Sequence, residues 1–323
     1  MEEFKYEKLT GLPTIFYFFE LAEEFRKTQL EAGENPTMLF IDLNGMKNYN
    51  ARYGFAEGDR LICAMADIIR EFFGEERASR FGGDHYAVLT LEKGLKELLS
   101  LFMDACKHVN EGQNLPLNIG IYKNSIEDVP ASTAIDRAKM ACDVDHGNKT
   151  SHYTYFNETM LEQLKLRQHI IDNFDRALEE EWIQVYYQPI IRAVNGHVCD
   201  EESLARWFDP EKGMLSPADF IPVLEDAKLI HKLDLYMLRK TLQKQEHLKK
   251  NGLHRVPASI NLSRVDFEVC DIVEEVRKIV DDSEIDRNMI TIEITESVLG
   301  SNFDYIRKQI ERFRIMGFQG LDG

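Results

Sequence analysis

The sequence predicts an α/β protein of two domains: a sandwich of one sheet under helices, then a partial (β/α) barrel. Three observations carry this. The 323 residues exceed the ~100–200 of one ordinary domain. The first half mixes helix-spaced and strand-like segments around a Gly82-Gly83 hairpin signal. The second half separates short apolar runs by helical patterns of about 15 residues, the rhythm of parallel strands.

Taken in order, Thr37 to Ile41 is a short β-like run ending at Asp42. Residues 57–73 carry Leu61, Met65, Ile68, Ile69 and Phe72 at helical spacing. Ser79-Arg80-Phe81 and Tyr86-Ala87-Val88-Leu89 flank Gly82-Gly83-Asp84 and read as a β-hairpin. Leu117 to Tyr122 reads as a strand and Thr133 to Val144 as a helix. Residues 157–181 form a long charged helix whose apolar face is Met160, Leu161, Leu164, Ile170, Ile171, Phe174 and Leu178. It reads as a connector between a first domain, 1–156, and a second, 182–323; a packing helix of the second domain fits as well. Candidate strands there are Ile183–Gln188, His197–Leu204, Pro257–Leu262 and Ile290–Thr295, fitting a parallel barrel or a doubly wound sheet. A complete eight-stranded barrel takes ~250 residues, so only part of one fits.

Composition narrows the function classes. With 56 acidic and 39 basic residues the net charge is −17, which repels nucleic-acid polymers. A nucleotide remains compatible if a metal ion inverts the local charge. No apolar run reaches the ~18 residues of a membrane span, and a cytoplasmic protein is expected. Cys63, Cys106, Cys142, Cys199 and Cys270 are scattered and form no C-x-x-C pair, which argues for buried reduced thiols. His152, His169 and His231 have no partner at ligand spacing and read as surface residues.

Asp42 ends a strand, and Asp84 tips a hairpin whose glycines let a ligand approach the backbone. Two such carboxylates suit Mg²⁺ on a nucleoside triphosphate. Taken singly, each also reads as a solvated turn residue. The surrounding words are more specific. Leu9-Thr10-Gly11-Leu12-Pro13, Phe40-Ile41-Asp42-Leu43-Asn44 with Lys47 and Asn50, then Gly58-Asp59, and Arg80-Phe81-Gly82-Gly83-Asp84-His85-Tyr86 resemble GGDEF domains, the diguanylate cyclase family, over roughly residues 5–155. The resemblance implies a nucleotidyl-cyclase-like sandwich. In it Asp42 and Asp84 would hold metal, Asn50 and Asp59 would hold guanine, and Gly82 and Gly83 would admit phosphates.

Departures from the family pattern matter as much. His85 stands where active members carry Glu, and Tyr86 where they carry Phe. An imidazole is a poor exchange for a carboxylate on a hard cation. Asp143 falls at a phosphate-contacting Lys position, and Phe73 and Glu76 replace an inhibitory R-x-x-D site. This domain is expected not to make cyclic di-GMP, while GTP binding through Asn50 and Asp59 stays open.

Glu202, Asn261 and Glu293 each fall near the end of an expected strand, where barrels build sites. Three oxygen donors there suit Mg²⁺ or Mn²⁺, and a surface salt-bridge role competes with that reading. Tyr187-Gln188-Pro189-Ile190, Glu202-Ser203-Leu204-Ala205-Arg206-Trp207, Phe220-Ile221-Pro222 with Glu225, Ser259-Ile260-Asn261-Leu262-Ser263 and Glu293-Ile294-Thr295-Glu296 resemble the EAL family, cyclic di-GMP phosphodiesterases. By resemblance Glu202, Asn261 and Glu293 would be metal ligands, Arg206 would contact a substrate phosphate, and Gln188 would line the nucleotide pocket. The final Gly317-Phe318-Gln319-Gly320-Leu321-Asp322-Gly323 lacks the family's Asp-Asp-Phe-Gly run, with Asp322 one position early. The chain as written is expected to be a phosphodiesterase fragment that does not hydrolyse cyclic di-GMP. A non-enzymatic module that binds GTP or cyclic di-GMP is the alternative, and an active cyclase is the remotest. Homodimerisation through the connector helix is a further expectation.

Overall fold

The computed structural model describes residues 5–109, 115–144, 150–294 and 303–320. The chain divides into two compact units, Met1–Gln163 and Leu164–Gly323. Among the described residues no helix is long and apolar enough to cross a membrane.

The first unit runs α1 (Ile15–Glu31), β1 (Pro36–Leu43), α2 (Met46–Tyr53), α3 (Phe55–Phe73), β2 (Ala78–Gly82), β3 (His85–Leu91), α4 (Leu95–Cys106), β4 (Leu117–Lys123), α5 (Ala131–Asp143) and β5 (His152–Tyr155). Its sheet has the order β2-β3-β1-β4-β5, antiparallel except for the β4–β5 pair. β1 is central and buried at every position, because both faces of the sheet are covered. Side chains alternate between faces along a strand. Leu39, Ile41 and Leu43 join Tyr86, Val88, Ile119 and Ile121 against Leu61, Met65 and Ile69 of α3 and Phe102 of α4. Burying each such side chain stabilises by roughly 1.5–3 kcal/mol. The opposite face carries Phe40 and Asp42 and meets α5 at Gly120. A Cβ on Gly120 would sit 1.8 Å from the Ala138 carbonyl oxygen, so glycine permits that approach.

The second unit begins inside α6 (Glu158–Glu179), whose Ile170, Phe174 and Ala177 pack in its core with Ile183, Trp207 and Phe220. There follow β6 (Ile183–Ile191), β7 (Val198–Asp209), β8 (Gly213–Leu215), α7 (Pro217–Asp226), α8 (Ile230–Lys250), β9 (Ala258–Leu262), α9 (Asp266–Val269), α10 (Ile272–Asp281), β10 (Ile290–Ile294), α11 (Phe303–Ile315) and β11 (Gln319–Gly320). The sheet order is β11-β10-β9-β7-β6, with β8 paired on β7. Pairing is parallel from β7 through β9 and β10 to β11, but β6 and β7 are antiparallel. The expected all-parallel rhythm fails there because residues 192–197 are too few for a crossover, which takes a dozen or more residues. β7 also runs on to Asp209, beyond the expected end at Leu204, because β6 and β8 both pair with its later half. Ser216 and Asp219 form a capping box that starts α7, with Pro217 following the cap.

Two smaller expectations need correction. Cys106 and Cys142 are buried free thiols, but Cys63, Cys199 and Cys270 are only half-buried. His169 is no bare surface residue: its Nε2 lies 2.9 Å from Asp209 Oδ2, a pairing across 40 positions that sequence spacing does not show.

Candidate functional site

In the first unit, β1 delivers Asp42 opposite His85, the first residue of β3. Asp84 tips the hairpin between them, and its carbonyl accepts the Leu43 N–H at 3.2 Å. Gly82 and Gly83 take φ of +100° and +56°, which side chains resist, and open space lies where their Cβ atoms would be. Arg80 fastens the turn: its Nε donates to the Gly83 carbonyl at 2.8 Å and its guanidinium pairs with Glu7 at 2.5 Å. As a result the ligand atoms of Asp42, Asp84 and His85 all fall within 4.8 Å of one another. The His85 Nε2 is 3.3 Å from Asp42 Oδ1 and 3.9 Å from Asp84 Oδ1. The hydrogen bond to Asp42 raises the His85 pKa, with burial opposing it, and burial raises that of Asp84. This donor set fits a divalent cation, and its imidazole shifts preference away from Mg²⁺ toward transition-metal ions.

α2 starts directly after β1 and sets half-buried Asn50 at the Asp42 end of the sheet. The Asn50 Oδ1 is buried without a donor among the described residues, and a Cβ on Gly58 would lie 2.0 Å from it. Asp59 follows Gly58 on α3 and is exposed. The Tyr86 hydroxyl, the odd group of the signature, is fully buried and donates to the Ile62 carbonyl at 2.8 Å. It costs the core nothing in unmet hydrogen bonds. Where Asp143 reverses an expected charge, α5 instead brings Lys139 close enough for its charge to act on His85. Phe73 is buried against Phe102, and Glu76 accepts from the Tyr6 and Tyr17 hydroxyls at 3.0 and 3.4 Å. In this unit Asn118 escaped the sequence reading. Asn118 on β4 is the other in-register neighbour of Asp42, fully buried, with both amide atoms lacking a partner among the described residues. Its only signal was a polar residue in an apolar strand.

In the second unit, four adjacent strands carry the other constellation. Gln188 on β6 is in register with Glu202 on β7, and Asn261 on β9 is in register with Glu293 on β10. The Asn261 Nδ2 donates to Glu202 Oε1 at 3.0 Å, which leaves the Asn261 carbonyl oxygen for another partner. Glu202, Asn261 and Glu293 are half-buried and Gln188 is exposed. These are oxygen donors of the kind hard divalent cations take. Arg206 lies four residues beyond Glu202, on the same face of β7; its guanidinium rests over the Tyr186 ring and donates to the Ala205 carbonyl at 2.8 Å. Asp200 was missed. Burial raises its pKa and the charge of Glu293 adds to that, so a further acid faces this group. Within the run Asp200-Glu201-Glu202, strand alternation puts Asp200 on the Glu202 face, a signal the sequence offered; Glu201 turns away to Lys244, 2.6 Å distant. Thr295, Glu296 and Asp322 lie outside the described residues.

Family comparison matches residues 4–146 to the diguanylate cyclase GGDEF domain and residues 147–320 to the EAL domain. The cyclic di-GMP phosphodiesterase NbdA of Pseudomonas aeruginosa is 25% identical over 97% of this chain, which spans 41% of that protein. The bifunctional diguanylate cyclase/cyclic di-GMP phosphodiesterase MucR of the same species is 23% identical over 97% of this chain and is spanned to 47%. A Vibrio cholerae LapD S helix-GGDEF-EAL structure bound to c-di-GMP matches all of this chain and 77% of its own, with TM-score 0.55 and 15% identity, a likeness of fold. The chain thus spans under half the length of these curated relatives. With residues 147–320 matched to one family and 4–146 to the other, the chain belongs to the GGDEF–EAL proteins, a GGDEF domain followed by an EAL domain.

Proposed function

We propose that this chain is a cyclic di-GMP signalling module whose EAL domain takes cyclic di-GMP together with Mg²⁺ or Mn²⁺, and whose GGDEF domain regulates rather than synthesises. The observation that carries the first part is the Asn261–Glu202 hydrogen bond of 3.0 Å, with Glu293 in register beside Asn261. Glu202, Asn261 and Glu293 would hold the cation, which when bound polarises a phosphodiester and sharpens water as a nucleophile. Arg206 would meet a phosphate oxygen after releasing the Ala205 carbonyl, and exposed Gln188 would face the base or ribose. Ser203, the departure inside the signature triplet, points away from this face. It is buried and 3.1 Å from the Thr241 hydroxyl, so it leaves Glu202 free.

The regulatory reading of the first domain rests on His85. Its ring occupies the space between Asp42 and Asp84 and takes a hydrogen bond with Asp42. Two carboxylates bridged by an imidazole are a poorer seat for Mg²⁺ than three carboxylates. Asn50 and Asp59 would still read guanine, so GTP is the ligand proposed for this domain, bound without turnover.

The test is calorimetric titration of the 323-residue chain with cyclic di-GMP in the presence of Mn²⁺, beside Glu202→Gln and Arg206→Ala. Binding that both variants weaken by tenfold or more supports the proposal. An unchanged affinity in Glu202→Gln, or formation of cyclic di-GMP from GTP, overturns it.

A further inference from the structure

A second group of acids lies away from the metal-binding face, around the turn that follows Asn261. Asp266 opens α9 and is fully buried. Its Oδ2 accepts the Ser263 N–H at 2.7 Å, while its Oδ1 is buried with no donor among the described residues. The Asp234 side chain, from α8, is in hydrogen-bond contact with the Asp266 carboxyl and also with the Ser263 backbone N–H. Asp234 as a whole residue is only half-buried, but its carboxyl is enclosed. Glu225 of α7 adds a third acid and accepts from the Ser263 hydroxyl at 2.6 Å.

Two ionised carboxylates are acceptors only and cannot hydrogen-bond to each other. Buried like charges in contact do not both ionise. Some positive charge must therefore sit between them. Among the described residues neither Asp234 nor Asp266 has a Lys, Arg or His partner. The groups facing them are Glu225 from α7 and the Cys270 thiol just past α9, whose Sγ lies 3.7 Å from the Asp266 carbonyl. A metal cage is not formed either: among the described residues only Asp42, Asp84 and His85 bring three such ligand atoms within 4.8 Å.

We propose that Asp234 and Asp266 share one proton, and that this acid pair is a positioning element that fixes the Ser263 turn two residues beyond Asn261. The proton is the missing donor for the orphaned Asp266 oxygen, and it removes one of the two like charges. Burial pushes Asp266 up to about 6, and burial beside Asp266 pushes Asp234 well above the usual carboxylate range, in keeping with the shared proton. α7, α8 and the β9–α9 turn are tied together through Ser263, whose N–H and hydroxyl are both engaged. The consequence for Asn261 rests on the EAL reading above; the shared proton does not.

The test needs no nucleotide. Infrared spectra of the 323-residue chain at pH 7 are compared with Asp234→Asn and Asp266→Asn, and thermal unfolding of all three is followed from pH 5 to pH 8. Asparagine keeps an acceptor for Ser263 and supplies its own N–H in place of the proton. The expected result is a protonated-carboxyl stretching band in the parent chain that both variants lose. The unfolding midpoint of the parent should also fall relative to the variants as pH rises. If one variant fails to fold, the other carries the same comparison. Absence of the band from the parent at pH 7, or a stability difference that does not change with pH, overturns the proposal. A chain that shows the band yet binds no cyclic di-GMP supports the shared proton and counts only against the proposed function.

Discussion

The Asn261 Nδ2 donates to Glu202 Oε1 at 3.0 Å, across two neighbouring parallel strands. The amide thereby holds one carboxylate oxygen, and Glu293 stands beside Asn261 as its register partner on β10. Asn261→Ala removes a neutral oxygen donor and releases Glu202 to move. Mn²⁺ affinity of the second domain is expected to fall at least tenfold, about 1.4 kcal/mol. The unfolding midpoint should change little, because Asn261 is only half-buried. Titration with Mn²⁺ in the parent and the variant decides this, and an equal affinity would remove Asn261 from the site.

His85→Glu should act in the opposite direction on the first domain. It replaces the ring between Asp42 and Asp84 with a third carboxylate, a better donor for Mg²⁺. Mg²⁺ affinity is expected to rise roughly tenfold, read in a Glu202→Ala background so that the second domain stays silent. No gain would mean that the hairpin, rather than the ring, sets the weakness of this seat.

Gly120→Ala tests the packing under that site. The new Cβ would meet the Ala138 carbonyl oxygen at 1.8 Å and the Cys142 nitrogen at 2.5 Å, both backbone atoms of α5 that cannot rotate aside. The helix must shift, at a cost of about 1–3 kcal/mol or more, seen as a lower unfolding midpoint. Gly82→Ala meets no atom within 4 Å, so its smaller penalty comes only from φ of +100°.

What the sequence shows of this protein depends on whether the information is local. The Gly82-Gly83 hairpin and the run from Thr37 to Asp42 were legible, because glycine pairs and period-2 patterning report directly on turns and strands. The antiparallel β6–β7 pair was not read, since alternation along a strand says nothing about its direction; only the short link of residues 192–197 signals it. Of the candidate site residues, Asp42, Asp84, Glu202, Asn261 and Glu293 stood inside recognisable words. Asp200, Asn118 and the Asp234–Asp266 pair did not. Their roles come from register and from helices folding back, which place together residues far apart in the chain. His85 was visible as a departure, but that its ring reaches both acids required the β1–β3 register.

The pairing of His169 with Asp209 gives a pH prediction of opposite sign to that of Asp266. Burial acts to raise the Asp209 pKa, but His169 at 2.9 Å and the backbone N–H groups of Lys212 and Glu211, both at 2.9 Å, outweigh it and hold the carboxyl below its ordinary 3.8. A carboxyl that is more acidic folded than unfolded adds stability that is complete above the unfolded pKa and is lost as pH falls through the folded one. Asp209→Asn forfeits the charge but keeps an acceptor, so it should be destabilised at pH 7 by about 1–3 kcal/mol, the range for hydrogen bonds to a charged group. As pH drops below about 4 the parent protonates too, and the two unfolding curves should converge. For Asp266, raised rather than lowered, the order reverses: its asparagine variant gains on the parent as pH rises above the ordinary carboxylate range. Urea unfolding of the parent and both variants at pH 3, 5 and 8 separates the two signs. A gap for Asp209→Asn that stays constant down to pH 3 would show that the carboxylate charge contributes nothing at this contact.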